Sequence, residues 1–169
     1  MNLPASKKRG LVLAVHPTAR GVGWVLFESP LAPVDWAVIR TTKNPKSLAL
    51  LERIVERYHP DTIVLEQFEH GATRRVGRIQ RLCRSLIHLA ANRQIVTNTY
   101  SRAAIRTCFA SVGAITRHEI AQAIASHIDA FHPWLPPKRL VSRDQDARLS
   151  LFNAAAIALT HFAVTGDRD

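Results

Sequence analysis

The chain has 169 residues, enough for one domain with a proper core, and its 47% hydrophobic and 21% charged content excludes a disordered chain. With 23 Lys and Arg against 13 Asp and Glu, the formal charge is +10 and the pI near 10.8, a balance that points to a polyanion, above all nucleic acid. No Lys-rich amphipathic helix or lipidation motif favours a membrane surface, no Cys/His cluster has zinc spacing, and the apolar run after Lys7-Lys8-Arg9 is too short for a signal peptide.

In chain order, residues 1–9 read as a loose basic tail, 10–164 as a single domain and 165–169 as a C-terminal tail. Strand-like runs at 11–16, 22–28 and 34–41 are joined by the Gly21/Gly23 turn and by SPLAP, whose Pro30 and Pro33 stop a ladder. Links this short make consecutive antiparallel strands. NPKSLALLERIVERYH is helical, with Leu48, Leu51, Ile54 and Val55 on one face and Pro45 at a tolerated early position. PDTIVLEQ is apolar on both faces, as in the centre of a sheet, and closes on Glu66.

An amphipathic helix is predicted from Thr73 to about Asn92, with Val76, Ile79, Leu82, Cys83, Leu86 and Ala90 as its apolar stripe. QIVTNTY is a further strand, Ser101 caps a short helix, and Thr116 with Glu119 makes a capping box opening RHEIAQAIASHIDA. FHPWLPPKRLV reads as a Pro-rich loop, and the last helix runs from about Ser142 through ARLSLFNAAAIALTHF. No run is long enough to span a bilayer, Cys83 and Cys108 lie in apolar helical patterns as reduced thiols, and a cytoplasmic protein is expected. The order β-β-β-α-β-α-β-α-α-α predicts an α/β fold with a ribonuclease H-like mixed five-stranded sheet. Three antiparallel strands come first, then parallel βα units, with helices on both faces.

Three segments fall where such a fold converges: AVHPTARGVGW after the first strand, HPDTIVLEQF at the fourth, and NAAAIALTH in the last helix. Together they resemble the RuvC-type Holliday-junction resolvases over roughly residues 10–163. That family has an Asp-Pro-Gly-Ser-Arg-like loop, a Pro-Asp strand ending in Glu-Gln, and an Asp-Ala-Leu-Ala-Ile-Ala-like helix ending in Thr-His. The resemblance implies a metal-dependent endodeoxyribonuclease acting as a homodimer on four-way DNA junctions, with carboxylates holding Mg²⁺ or Mn²⁺ against the scissile phosphate. Such ions take hard oxygen ligands, activate water and stabilise the leaving oxygen.

The departures fall on that chemistry. His16 stands at the family's first catalytic aspartate, Glu66 matches the second acid, and Ser150 and Asn153 stand where the last helix places two aspartates. His118 matches a basic residue opening the penultimate helix, with Arg117 beside it, and Phe68 lies one residue early for the family's DNA-wedging aromatic. A neutral imidazole, a serine and an amide supply little of the charge that two divalent ions need. Asp146, in phase with Ser150 and Asn153, offers a mixed site with Glu66 and His16 for Mn²⁺ or another transition metal, or else complements the helix dipole. His161, near the end of the last helix, is expected at the surface.

Phosphate contacts fall to Arg74, Arg75, Arg78 and Arg81, which follow the candidate acid, and to Arg117 and Arg143 beside the last two helices. The leading expectation is a RuvC-like protein that binds branched or duplex DNA with weakened or absent cleavage, so that any bound metal is optional. Two alternatives stand beside it: an active junction resolvase with a remodelled site, and a module on the same fold that contacts proteins instead of nucleic acid.

Overall fold

Strand β1 (Val12–Pro17) is buried along its whole length, and the molecule is layered on either side of it. Val12 and Ala14 face one core and Leu13 and Val15 the other, which is why the run is continuously apolar and not alternating. The computed structural model describes residues 10–68, 74–138 and 147–166. β2 (Val22–Ser29) pairs antiparallel with β1 and with β3 (Ala32–Ile39), while β4 (Thr62–Glu66) and β5 (Val96–Tyr100) add in parallel on the other side. The sheet order is β3-β2-β1-β4-β5, the mixed five-stranded arrangement expected from the element order.

Helices α1 (Asn44–Tyr58) and α2 (Arg74–Asn92) cover the Leu13/Val15 face. Leu51 and Val55 of α1, and Leu82, Leu86 and Ala90 of α2, are buried there, as their stripes predict. The opposite face carries α3 (Arg102–Ala110), α4 (Arg117–His127) and α5 (Ala147–Gly166). Ser101 caps α3 by accepting from Ala104 N at 3.1 Å. The Thr116/Glu119 box at α4 has both its reciprocal bonds, 3.2 Å and 2.9 Å.

Three sequence expectations shift. Pro33 does not stop the ladder: β3 starts at Ala32 and Pro33 pairs with Phe27 beside a register shift. An edge strand tolerates this because a missing N–H there costs no central hydrogen bond. Within the expected Pro-rich loop, residues Asp129–Trp134 form a 3₁₀ turn whose Phe131 is fully buried against Phe27, Trp36 and Phe152. Finally, α5 is by length and composition apolar enough to cross a membrane, contrary to expectation, and it continues to Gly166. Most of that helix is buried inside the domain, so its all-round apolarity is that of a core helix.

What lets α5 lie so close to the sheet is Gly23, the ladder partner of His16. A Cβ there would sit 2.3 Å from the carbonyl carbon and oxygen of Ser150. That clash is with backbone, which has no rotamer to change. Gly23→Ala is therefore expected to destabilise the fold by about 2–3 kcal/mol, read as a lower urea midpoint at unchanged m-value.

Candidate functional site

Side chains of even number on β1 and β4 face α5, and at the C-terminal ends of the two strands these are His16 and Glu66. This is where open α/β sheets build their sites. His16 and Glu66 are 5% and 6% exposed, and His16 Nε2 lies 2.9 Å from Glu66 Oε2. Arg117, at the start of α4, brings Nη2 to within 3.3 Å of Glu66 Oε1. One carboxylate is thus held between an imidazole and a guanidinium. Two polar atoms of its partners, His16 Nδ1 and Arg117 Nη1, are buried and have no hydrogen-bond partner among the described residues.

The protonation states follow from burial and charge. Burial pushes the His16 imidazole below its usual range, against the hydrogen bond and charge of Glu66, and the positive fields of Arg117 and Arg102 push the same way. At neutral pH the ring is therefore neutral and, facing an ionised carboxylate, carries its proton on Nε2 and donates it. For Glu66, burial alone would raise the pKa. The hydrogen bond and charge of His16, then the charge and hydrogen bond of Arg117, outweigh it and bring the group to about 2. The charge of His16 contributes only in acid, where the ring takes its second proton. At neutral pH the carboxylate is held by Arg117 and the His16 N–H.

The last helix closes the site from above. Ser150 and Asn153, one turn apart on α5, are buried at 2% and 5% exposure, and the Ser150 backbone crosses Gly23 directly opposite His16. The Ser150 hydroxyl is turned back on its own helix, donating to Ala147 O at 2.6 Å. The ring of Phe68 lies 6.0 Å from that of His16, tilted by 49°. His118 follows Arg117 in the first turn of α4, half-buried. Asp146 and Arg143 lie outside the described residues, as do the side chains of Arg74 and Arg75, although both positions start α2.

These residues do not fit a two-metal centre. Paired hard cations need several carboxylate oxygens, and the donors among the described residues are Glu66, already shared, and the neutral groups of His16, Ser150 and Asn153. Among the described residues no group of three or more His, Cys, Asp or Glu is arranged around a point that would hold an ion. A guanidinium on the remaining carboxylate opposes a divalent cation further.

The candidate phosphate-binding arginines separate in the same way. Arg81 is exposed on α2, but Arg78 is engaged. Its Nη1 donates to Thr42 O at 2.7 Å and its Nη2 to Thr18 O, tying the loop after β1 to the segment before α1. Sequence reasoning missed one participant, Tyr100. Tyr100 is the ladder neighbour of Glu66 on β5, and its hydroxyl is 2.7 Å from His161 Nδ1, which is buried on α5 and not at the surface. Arg102 opens α3 immediately beyond and sends its field into the site. Arg102 was legible as one of the arginines of the short helices; the Tyr100–His161 contact, spanning 61 residues, was not.

The same architecture recurs in solved structures. The chain matches RuvC of T. thermophilus, solved in complex with a Holliday junction substrate, with a TM-score of 0.66 at 16% identity, covering 92% of this chain and 96% of that one. It matches the fowlpox virus resolvase, solved with its substrate Holliday junction DNA, at a TM-score of 0.54 and 13% identity, over 90% and 98% of the two chains. The yeast mitochondrial Holliday junction resolvase Ydc2 matches at 0.53 and 15% identity, over 93% and 85%. No protein-family model and no curated protein matches the sequence. At these identities the likeness establishes the RuvC-like, ribonuclease H-like fold.

Because Glu66 and His16 both titrate below their ordinary values, each contributes stability that is present above its unfolded value, near 4.5 and 6.5, and lost as pH falls. The expected outcome is that Glu66→Gln lowers the urea midpoint at pH 6. The gap from wild type should then narrow between about pH 4.5 and 2. A gap independent of pH over that window would show that the carboxylate charge is not what Arg117 and His16 hold.

Proposed function

We propose that this protein is a cytoplasmic, RuvC-like binder of branched, Holliday-junction-like DNA whose endonuclease activity is weakened or absent. The carrying observation is the state of Glu66. On a fold shared with resolvases solved on junction DNA, the carboxylate at the end of β4 is tied to Arg117 and His16 and, among the described residues, is not joined by further acids. Such a site keeps a positively charged cleft for a phosphate backbone while lacking the charge that draws divalent cations. Arg81 and Arg84 on the exposed side of α2, with Arg102, Arg106 and Arg117 beyond the strand ends, supply cations along one rim. No base-reading motif accompanies them, so backbone shape is the recognised feature. A homodimer would carry two such rims to the arms of a junction, and exposed Ile87 on α2 and Val96 on β5 provide apolar surface for a second copy.

The test is a four-way junction titrated across a salt series, beside linear duplex of the same sequence. Tighter binding to the junction is expected, with log affinity falling against log salt at a slope near −4 for about four arginine–phosphate contacts. Affinity indifferent to salt would remove the phosphate-contact argument and favour a protein-binding module. Incubation with Mg²⁺ or Mn²⁺ should give little or no cleavage. Strand scission that requires either ion and disappears in Glu66→Ala would establish an active resolvase with a remodelled site instead.

A further inference from the structure

We propose that the end of the sheet around Glu66 is a metal-independent receptor for a single phosphate group, assembled by Arg117, Arg102 and the first turn of α3. For its ligand, a phosphate of a nucleic-acid backbone, the assignment rests on the DNA-binding reading above. For its chemistry it rests on the site alone.

The first support is an unmet hydrogen-bonding need. Arg117 spends Nη2 on a long, 3.3 Å contact with Glu66, and its Nη1 is buried with no acceptor among the described residues. Buried polar groups are normally satisfied, and a cationic donor denied both water and an acceptor is costly. An oxyanion beside Glu66 would take the Arg117 donor directly.

Charge is the second support. Among the described residues, Arg117 and Arg102 converge on a site whose one acid is Glu66, so their positive charges outnumber that carboxylate's. Arg102 is pushed below its ordinary value by burial and then by the charge of Arg117, with Arg106 adding to it, against the pull of Glu66. Those guanidiniums are near enough to repel one another, and an anion between them removes the repulsion.

Position is the third. β5 ends at Tyr100, the ladder partner of Glu66, and α3 starts at Arg102 behind its Ser101 cap. The first-turn N–H groups and the positive end of that nine-residue helix therefore lie beside the carboxylate.

This arrangement inverts the role of the acid. In a metal centre, neutralising Glu66 would weaken ion binding and phosphate binding with it. Here Glu66 is an internal anion competing for Arg117, and neutralising it frees the guanidinium. The sign of the Glu66→Gln effect therefore separates the two chemistries.

The experiment titrates inorganic phosphate into the full-length protein in EDTA, with chloride at matched ionic strength as control, following arginine Nε–Hε resonances. A saturable shift of the Arg117 and Arg102 signals is expected. Phosphate should bind about tenfold tighter in Glu66→Gln, and at least about tenfold weaker in Arg117→Gln and in Arg102→Gln, as for one unit charge interacting near a protein surface. If Glu66→Gln does not fold, the two arginine variants carry the test. No saturable shift, or weaker binding in a folded Glu66→Gln, would overturn the proposal.

A parallel arm measures four-way-junction affinity in EDTA and after adding Mn²⁺. Equal affinity in both, reduced in Arg117→Gln, identifies the ligand as a backbone phosphate. An Arg117→Gln variant that loses the phosphate shift but keeps full junction affinity overturns that assignment. Junction binding without any phosphate shift sinks the receptor and leaves the DNA-binding reading standing. A phosphate shift without junction binding does the reverse.

Discussion

The apolar helix α5 lies flat against β1 and β2, close enough that the sheet must present a glycine beneath Ser150. Everything at the strand ends depends on that approach. It seals the Val12/Ala14 face, removes water from His16 and Glu66, and fixes which side chains of the helix look down on them. Because interiors pack as densely as organic crystals, one extra methyl at position 23 has nowhere to go. The electrostatics of the site are a consequence of this packing. A carboxylate 6% exposed cannot be left to solvent, and must be balanced by groups the fold brings to it.

Among the described residues, that balance comes from side chains of the protein itself. Several acids in one chamber repel one another until divalent cations enter. Here a guanidinium and an imidazole N–H do that balancing from within, and the residues across from them on α5 are neutral. The carboxylate stays ionised without an ion from solution.

Much of the fold was legible in the chain. The doubly apolar β1 and β4, the striped α1 and α2, the Ser101 cap and the Thr116/Glu119 box all occur where local pattern places them, because each is settled by neighbours within a few residues. The convergence of His16, Glu66, Ser150 and Asn153 was legible only through three segments spaced as in a known family. Pro33 within β3 and the 3₁₀ turn around buried Phe131 were misread, since an edge strand and a hydrophobic anchor override what proline does locally.

The sequence by itself determined the element order and the excess of arginine. Those are properties of residues and their near neighbours. Only the tertiary structure decided what became of Glu66. Arg117 lies 51 residues away and His16 50, and neither contact has a local signature. The same holds for Arg78, one of a run of arginines by sequence but a clamp on two backbone carbonyls in the fold. Which charges meet, and which are taken out of water, is set by long-range packing. That is why the pairing of Arg117 with Glu66 could not be read from the order of the residues.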